Sequence, residues 1–480
     1  MAKDTKKIIR VAELFAGVGG FHIGLDRASK GNSKAKFHTT WADQWEPASG
    51  KNQHAAWVYQ NFINSKKLTT KLCNDNIWDI VGTGDSISER IDEPKEFEIL
   101  TGGFPCQDYS VARPLSQSAG LEGKKGVLWW SIYKLLHNAQ VKHPKKPAPY
   151  IFLENVDRLI KSPASKRGRD FAIMLSSLSQ LGYIVEWRVI NAAEYGFPQR
   201  RRRTFIVGYH KSSTIAKEIL KEKGFNLEVL VKWVENKGIL AEAFPVNSTE
   251  EAGHFTIGED PYEITKNFIP EAIDGKVNHS DPFKNSGMMI DLHVFTEKVT
   301  PRYTGSYVTL GDIVGATIEK EVPENYYIHP DRVPAWEKQK GAHDYDRTSK
   351  SGHTYRYKEG AVPFPDPLTK ASRTIVTGEG GSGPSRMKHV IDIRKKKGFP
   401  NGRTINGVTY VYRRLIPEEL EQLCMFDRGH TEFMDVEGKH ELERASDAKR
   451  AFFMGNALVV GVIEGIGKSL LKRIVKHENK

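Results

Sequence analysis

One cysteine lies in a loop with the sequence character of a reactive site. The segment GGFPCQDYS, residues 102–110, places Cys106 just beyond the end of a predicted strand, in a loop constrained by Gly and Pro. The pKa of a thiol in such a loop can be lowered by nearby positive charge, whereas a structural cysteine is expected within an apolar run. We therefore interpret Cys106 as a nucleophile.

Two polar segments further along the chain could serve the same chemistry. Glu154-Asn155-Val156 stands at the end of another predicted strand, and the four arginines 200–203 follow Gln199 and lead into an edge-like strand. Each segment also has an ordinary explanation, since a carboxylate at a strand end can cap a helix and an arginine run is often a solvated or phosphate-facing surface. Their order after Cys106 favours the chemical interpretation.

A glycine-rich turn near the N-terminus indicates a cofactor site. The first predicted strand ends in ELFAGVGGF, residues 13–21, and the missing side chains of its glycines let a ligand approach the backbone closely. The spacing fits neither the phosphate-binding P-loop nor the dinucleotide-binding turn. It indicates some nucleotide-like cofactor, with a tight structural turn as the alternative.

Two further segments suit a nucleoside. ADQWE, residues 42–46, ends the second predicted strand and places polar groups beside an aromatic face, as ribose hydroxyls and a stacked adenine require. Trp45 could equally pack beneath a loop. NDNI, residues 74–77, which we place before a third strand, offers an acceptor for an exocyclic amine.

The elements that must position these residues form an α/β domain. From Lys7 to about Tyr209 short apolar runs alternate with helix-length amphipathic stretches, which predicts a mostly parallel sheet. Ligand sites in such folds lie at the carboxyl ends of strands. The predicted strands are Ile8–Phe15, Phe37–Trp41, Phe97–Thr101, Tyr150–Glu154, Tyr183–Ile190 and Thr204–Val207.

The remaining sequence predicts a second, smaller domain and a returning segment. Beyond about His210 the alternation is lost, and the stretch to about Tyr412 is rich in Gly, Pro, Asn, Tyr and charged residues, with short β-prone runs. Alternation returns at 415–426 and 452–475, where an apolar segment must dock on another part of the protein. We therefore predict domains at 1–210, 211–412 and 413–480.

Composition limits the class of protein. The 480 residues carry a net charge of +12, which suits a polyanionic partner. The three cysteines, Cys73, Cys106 and Cys424, are too few and too scattered for a disulfide framework or a metal cluster, so we expect a reducing cytosol and no metal. With no apolar signal-peptide region and no membrane-spanning run, the chain is expected to be soluble.

Taken in order, these motifs closely resemble those of the cytosine-5 DNA methyltransferase family of bacterial or phage type. FAGVGG, residues 15–20, resembles the cofactor turn, GFPCQ the nucleophile loop, Glu154-Asn155-Val156 the carboxylate motif, and Gln199 with Arg201 and Arg203 the arginine motif. RRLIPEE, residues 413–419, and GNALVV, residues 455–460, resemble the last two motifs. The resemblance spans nearly the whole chain. It implies a Rossmann-like S-adenosylmethionine-dependent methyltransferase domain with an irregular, β-containing target-recognition domain.

The resemblance also implies a mechanism for methyl transfer to carbon 5 of cytosine. The target base is flipped out of duplex DNA, and the Cys106 thiolate attacks its carbon 6, which activates carbon 5. Glu154 holds ring nitrogen 3 and the exocyclic amine, and Arg203 binds the ring carbonyl oxygen. Arg201 helps to position the loop and the base.

Further residues follow from the same resemblance. Gln44 stands where the family usually has a glutamate for the ribose, so Asp43 and Glu46 remain alternatives, and Ala457 lacks a hydroxyl often found at its position. S-adenosylmethionine, which leaves as S-adenosylhomocysteine, is expected to contact Phe15, Ala16, Gly17, Gly19, Gly20, Asp43, Gln44, Trp45, Asp75, Asn76, Pro105, Asn456 and Ala457. DNA contacts are expected from Gln107, Ser110, Arg113, Thr374, Gly380 and Gly381, and phosphate contacts from Arg386 and Lys388.

The expected partner is double-stranded DNA, bound by a monomer in the bacterial cytoplasm and at the nucleoid. A cognate restriction endonuclease would act on the same site without a stable complex. A tRNA cytosine methyltransferase is an alternative that the large insert disfavours. A non-catalytic DNA-binding relative is disfavoured because Cys106, Glu154, Arg201 and Arg203 are all present. The recognised site, the base-reading residues, the base that removes the carbon 5 proton and the biological role are not evident in the sequence.

Overall fold

The computed structural model describes residues 6–82, 93–105, 128–221, 227–273, 278, 281–348, 352 and 354–478. Cys106 lies outside the described residues, as do Gln107, Ser110 and Arg113. The interpretation of these four residues stays a prediction.

Runs of buried aliphatic and aromatic residues form the sheet that positions the strand-end segments. All six predicted strands are present, and a further strand, β3, is too short at three residues to show in the pattern. β1 pairs with β2 and β4, β2 with β3, and β4 with β5, all in parallel. The first seven strands are β1 Lys7–Leu14, β2 Ala35–Asp43, β3 Lys71–Cys73, β4 Ile99–Gly103, β5 Tyr150–Val156, β6 Tyr183–Asn191 and β7 Arg202–His210.

The arginine-rich strand β7 is an internal strand, so the expectation of an edge-like strand is wrong. It lies between β5 and β6 and runs antiparallel to both, so that the other six of these strands point the same way. Only its first residues, Arg202 and Arg203, gave it the character of an edge, whereas Thr204 to Tyr209 are buried.

Four more strands continue the same sheet beyond β6, all in antiparallel pairs. The first compact unit comprises Met1–Tyr195, Arg202–Gly305 and Val460–Lys480. It therefore extends beyond residue 210, where composition predicted the end of the first domain. The composition hid these strands because the middle of β8 is exposed and polar. The strands are β8 Val246–Thr256, β9 Glu271–Ala272, β10 Ser286–Ile290 and β11 His293–Pro301, and the sheet order is β3-β2-β1-β4-β5-β7-β6-β10-β11-β8-β9.

The apolar C-terminal segment belongs to the first unit. Its helix α14 buries Val462, Ile463, Ile466 and Leu470 and packs closely on Gly24 of α1. The helices are α1 Gly20–Ser29, α2 His54–Ser65, α3 Ile77–Val81, α4 Leu128–Lys142, α5 Arg169–Gln180, α6 Thr214–Lys221, α7 Leu227–Lys232, α8 Ile239–Ala243, α9 Pro261–Lys266, α10 Leu310–Gly315, α11 Val333–Lys340, α12 Pro417–Leu423, α13 Asp447–Asn456 and α14 Val460–Glu478.

The second compact unit comprises Gly196–Arg201 and Ser306–Val459. It is irregular and contains short two-stranded sheets, as its Gly- and Pro-rich sequence predicts. The chain thus passes between the two compact units after residues 195, 201, 305 and 459, whereas composition suggested boundaries at 210 and 412. The paired strands are β12 His343–Thr348 with β13 Thr354–Glu359, β14 Val390–Asp392 with β17 Tyr412–Arg414, β15 Arg403–Ile405 with β16 Val408–Tyr410, and β18 Phe433–Met434 with β19 Glu443–Arg444.

A buried ion cluster joins distant segments of the second unit. The Arg413 guanidinium lies 2.8 Å from both Glu319 Oε1 and Glu419 Oε1, and all three side chains are fully buried. Lys396 adds a second cation, 2.6 Å from Glu319 Oε2. Because removing one partner of such a cluster leaves a buried charge uncompensated, Arg413 has a structural reason for its place in the RRLIPEE motif.

No single helix in the described part of the chain is both long and apolar enough to cross a membrane. The consecutive helices α13 and α14 meet that test only when they are taken together, by length and composition.

Replacing Gly24 by alanine should destabilise the first unit. A Cβ atom at this position would lie 2.6 Å from Cβ of Ile463, so the change overpacks the contact between α1 and α14. We expect Gly24→Ala to lower the free energy of unfolding by about 1 to 3 kcal/mol in urea titrations. Gly315→Ala, at a helical site with nothing within 4 Å of the added atom, is the control. An unchanged unfolding curve for Gly24→Ala would contradict the tight packing.

Candidate active site at the carboxyl ends of the strands

The sheet register brings the predicted polar segments to one edge. Leu14 is opposite Asp43 on one side and Gly102 on the other, and Gly103 is opposite Glu154. These residues end or nearly end their strands, so the segments that follow them emerge together. In open α/β sheets, ligands bind at this edge.

The glycine-rich turn between β1 and α1 is both a structural turn and an accessible surface. Phe15, Gly17 and Gly19 have φ values of 54°, 57° and 86°. A Cβ at Gly19 would lie 2.7 Å from the Tyr59 ring, so packing requires this glycine. A Cβ at Gly17 would meet nothing within 4 Å, which leaves the backbone open to a ligand. Ala16 N donates to the Asp43 carbonyl at 3.0 Å and ties the turn to β2.

Gln44 holds this turn from the end of β2. Its Oε1 accepts a hydrogen bond from Gly17 N at 2.6 Å, and its own N–H donates to the Cys73 carbonyl at 3.1 Å. The neighbouring Asp43 side chain is buried, and burial raises its pKa to about 8. Glu46, the other alternative for the ribose, accepts from the Ser49 hydroxyl. Gln44 is therefore the side chain that links the two candidate cofactor segments.

The remaining cofactor candidates of this edge lie around β3. Trp45 is half-buried, and Asp75 is exposed. Asn76 caps α3, because its Oδ1 accepts from Trp78 N at 3.1 Å. The segment 74–77 precedes β4, the strand predicted third at Phe97–Thr101, and it follows the short β3, which the sequence did not predict.

Glu154 and Arg203 form an ion pair across neighbouring strands. Oε1 of Glu154 lies 2.8 Å from Nε of Arg203, and their side chains are 12% and 18% exposed. The pairing of Val156 with Arg203 in β5 and β7 brings the two together. The pair presents a carboxylate acceptor beside guanidinium donors, which suits a planar ring with an amine and a carbonyl on one edge.

Asn155 fixes the backbone just before Pro105. Its buried Nδ2 donates to the Phe104 carbonyl at 2.8 Å, which ties β5 to the segment that leads into residue 106. A Cβ at Gly103 would lie 3.3 Å from Oε2 of Glu154, so a glycine here leaves room for the carboxylate. Pro105 itself is exposed. Sequence reasoning gave Asn155 no role, although its place in the carboxylate motif was a signal.

A neutral buried cluster, also missed from the sequence, lies under the glycine turn. The Tyr59 hydroxyl donates to Glu13 Oε2 at 2.9 Å and lies 2.8 Å from His22 Nδ1. Burial raises the pKa of Glu13 to about 8 and lowers the pKa of His22 to about 4. Near pH 7 the cluster is therefore largely uncharged. Tyr59 had no signal because it occupies the buried face of an ordinary amphipathic helix.

In the second unit, Gln199 and Arg201 support the segment 372–376. Gln199 Oε1 accepts from Ile375 N at 3.1 Å, and Arg201 donates to the carbonyls of Ile375 at 3.2 Å and Gly455 at 3.0 Å. The Arg201 side chain is 2% exposed. These contacts are internal to the unit, and the predicted catalytic part of Arg201 stays a prediction.

The predicted DNA-contacting residues of this unit have structural partners as well. The Thr374 hydroxyl donates to the Arg200 carbonyl. A Cβ at Gly380 would lie 2.9 Å from Cα of Ala448, and Gly381 has a φ of 83°. Lys388 is buried and donates to the Gly381 carbonyl at 3.0 Å, a contact that differs from the expected one with phosphate. Contacts of Thr374, Gly380 and Gly381 with DNA stay predictions.

Asn456 and Ala457 end α13 in the second unit. Asn456 is exposed, and Ala457 N donates to the Phe453 carbonyl at 2.8 Å. The preceding Gly455 approaches Thr377 so closely that a Cβ would lie 2.3 Å from its nitrogen. Their expected contact with the cofactor stays a prediction. No group of three or more His, Cys, Asp or Glu side chains within the described ranges could hold a metal ion.

Comparisons with known proteins agree with this geometry. The model of the C-5 cytosine-specific DNA methylase family matches residues 9–472. The chain is 39% identical over 468 residues to the Type II methyltransferase M.Sau3AI of Staphylococcus aureus, covering 97% of this chain and 96% of that protein. It is 26% identical over 333 residues to the Type II methyltransferase M.NlaIV of Neisseria lactamica, covering 67% and 69%.

A solved structure, the Dnmt2 methyltransferase of S. pombe, is similar in fold, with a TM-score of 0.51 and 13% identity over 99% of this chain and 100% of that one. The chain belongs to the C-5 cytosine-specific DNA methylase family. It is a DNA cytosine-5 methyltransferase, as the order of its motifs predicts.

The buried carboxyl of Glu13 should make stability depend on pH. Its pKa of about 8 in the folded state exceeds the ordinary value of 4.5. The folded protein therefore holds this proton more tightly than the unfolded chain, and stability falls as pH rises from about 4.5 to about 8. Glu13→Gln removes the titration, so its melting temperature should exceed that of the wild type increasingly from pH 5 to pH 8.

The exposed Glu437 is the control for this measurement, because Glu437→Gln should follow the wild-type profile. A constant difference in melting temperature between Glu13→Gln and the wild type across this pH range would show that Glu13 does not titrate there.

Proposed function

We propose that this enzyme methylates carbon 5 of a cytosine within a specific sequence of duplex DNA, through a covalent bond between Cys106 Sγ and carbon 6 of the flipped-out base. The observation that carries the proposal is the Glu154–Arg203 pair, held beside the segment that leads into Cys106. A base within a duplex cannot present its ring face to a thiol, so the cytosine must leave the stack.

The Glu154–Arg203 pair is complementary to the edge of cytosine. One oxygen of Glu154 accepts from the exocyclic amine, and the other shares a proton with ring nitrogen 3. Arg203 donates to the ring carbonyl oxygen. These contacts strengthen as the ring loses aromaticity, because negative charge then develops on the ring and is neutralised by fixed donors.

Cys106 activates carbon 5 by covalent catalysis. Its thiolate adds to carbon 6, the electrons of the 5,6 double bond move into the ring, and nitrogen 3 takes the proton held by Glu154. S-adenosylmethionine, when bound, supplies the methyl group to carbon 5 as an electrophile and leaves as S-adenosylhomocysteine. Loss of the carbon 5 proton then re-forms the double bond, expels the thiolate and returns the nitrogen 3 proton to Glu154.

The carboxyl edge of β1 and β2 fits the cofactor. The open backbone at Gly17 allows close approach, and Gln44 fixes the orientation of that backbone through its hydrogen bond to Gly17 N. The half-buried Trp45 offers an aromatic surface for adenine. We assign Phe15, Ala16, Gly19, Gly20, Asp43, Asp75, Asn76 and Pro105 to the same site from their family motifs.

The relatives support a role in restriction–modification. M.Sau3AI and M.NlaIV are both named Type II methyltransferases, and the alignment with this chain covers 96% of the length of M.Sau3AI. We propose that the enzyme acts as a cytoplasmic monomer and protects a DNA site from an endonuclease without forming a stable complex with it.

Bisulfite sequencing of DNA from a methylation-free host that expresses the chain would report the activity and the site. Labelling of tRNA alone in a tritiated methyl-transfer assay would overturn the DNA assignment.

Cys106→Ser should abolish methylation and covalent capture of DNA. A duplex with 5-fluorocytosine at the target position should form a denaturation-resistant adduct with the wild type, because fluorine cannot leave carbon 5 as a proton does. Cys106→Ser should form none on denaturing gels. Cys73→Ser, which alters a buried cysteine of β3, is the control and should retain the adduct. An adduct with Cys106→Ser would refute the assignment of the nucleophile.

Glu154→Gln should lower kcat by about 100-fold or more, because the amide cannot supply the proton to nitrogen 3. Glu98→Gln offers a matched control, since Glu98 also pairs with an arginine, Arg10, but precedes β4 instead of following a strand end. Its kcat should equal that of the wild type. Equal loss in both variants would indicate a general effect on the sheet and contradict the catalytic role.

A further inference from the structure

The hairpin formed by β12 and β13 is an unusual feature of the second unit. Nearly all its residues are exposed or half-exposed, and Tyr345 and Tyr355 are 48% and 41% exposed. An isolated two-stranded hairpin is at best marginally stable in water, and exposed aromatic clusters commonly mark a surface that meets a partner. The described residues of this hairpin therefore do not contribute to a hydrophobic core, and their side chains are available for contact with a partner.

The register divides these residues into two chemically different faces. In an antiparallel pair, residues directly opposite each other share a face. Tyr345 is opposite Tyr357, Arg347 opposite Tyr355, Asp344 opposite Lys358 and Asp346 opposite Arg356. We call the face of His343, Tyr345, Arg347, Tyr355, Tyr357 and Glu359 the tyrosine face, and the face of Asp344, Asp346, Thr348, Thr354, Arg356 and Lys358 the acidic–basic face.

The acidic–basic face neutralises itself. Arg356 pairs with both Asp344 and Asp346, and Lys358 lies 3.7 Å from Asp344. On the tyrosine face, by contrast, the guanidinium of Arg347 lies over the Tyr357 ring at 5.6 Å from its centroid. The single carboxylate of this face, Glu359, pairs with Arg386 at the base of the hairpin. The tyrosine face thus presents a cation to a partner.

The base of the hairpin is firmly attached to the rest of the unit. Arg386 donates to the carbonyl of Gly341 at 2.6 Å and also to that of Gly360, and so bridges the two ends of the hairpin. Val362 N donates to the Lys340 carbonyl at 2.9 Å and closes the chain below it. A ribbon held in this way is presented in a fixed direction, which lowers the entropic cost of binding.

The charge of the surrounding sequence favours nucleic acid as the partner. Residues 338–397, which include the hairpin, contain 14 Lys and Arg against 6 Asp and Glu, a net charge of +8. Residues 418–447 of the same unit contain 3 Lys and Arg against 10 Asp and Glu, a net charge of −7. The positive charge is therefore concentrated in the sequence around the hairpin, as a polyanion requires.

We propose that the hairpin β12–β13 lies in the major groove of the substrate DNA, with its tyrosine face toward the base edges, and that Arg347 reads a guanine. The inference rests on the proposed function, which supplies duplex DNA as the substrate. The major groove, about 12 Å wide, admits a two-stranded ribbon, and the guanine edge there offers two acceptors that match an arginine fork. The self-neutralised face then points to solvent.

The test uses the full-length enzyme and an oligonucleotide duplex that contains its methylation site. Replacing each guanine in turn by 7-deazaguanine removes one major-groove acceptor. At one position we expect this change to weaken wild-type binding by about 5-fold or more. Arg347→Ala should bind the unmodified site correspondingly more weakly and should lose sensitivity at that position alone. Arg347→Lys should do the same, because an ammonium cannot form the bidentate contact.

Lys358→Ala, on the opposite face, is the matched control and should keep the wild-type pattern. Full sensitivity of Arg347→Ala at every guanine, or a wild-type pattern for Arg347→Lys, would overturn the reading of guanine by Arg347. A changed oligomeric state in sedimentation, with unchanged DNA binding, would assign the tyrosine face to a second copy of the chain instead. A wild-type enzyme that methylates no duplex DNA would overturn the proposed function itself, a result distinct from the others.

Discussion

The register between β5 and β7 is the constraint on which the candidate active site depends. Because β7 runs antiparallel beside β5, its beginning lies next to the end of β5, and Arg203 meets Glu154. In a wholly parallel sheet the beginning of the neighbouring strand would lie at the opposite edge. The reversal of one strand therefore supplies a cation where parallel topology collects strand ends and their ligands.

The supporting side chains around this site are mostly neutral or already paired. Asn155 fixes the backbone before Pro105, and Gln44 fixes the glycine turn, each with an amide group that carries no net charge. Under the turn, Glu13 shares a buried cluster with Tyr59 and is protonated at neutral pH. Because these supporting side chains are neutral, the electrostatic field at the strand ends comes from the Glu154–Arg203 pair and from any ligand bound there.

Sequence reasoning recovered the strands whose apolar runs were long enough and the motifs that end them. It could not recover β3, which has three residues, or β8, whose exposed polar centre imitates a loop. The family resemblance implied that Glu154 and Arg203 bind the same base, but it did not predict their ion pair. The two residues are 49 positions apart, and only the strand register brings them together. Lys388 is an example of the opposite error. A lysine at this position suggested a contact with phosphate, but the side chain is buried and donates to backbone carbonyls.

The exposed hairpin has a consequence for how enzymes of this kind can diverge. Its outward side chains bury almost nothing, so replacing them changes the free energy of unfolding little, typically by less than about 0.5 kcal/mol. Residues in the ion cluster around Arg413 or in the strands have no such freedom. Descendants of one ancestor can therefore acquire new ribbon surfaces while retaining the same sheet and the same chemistry.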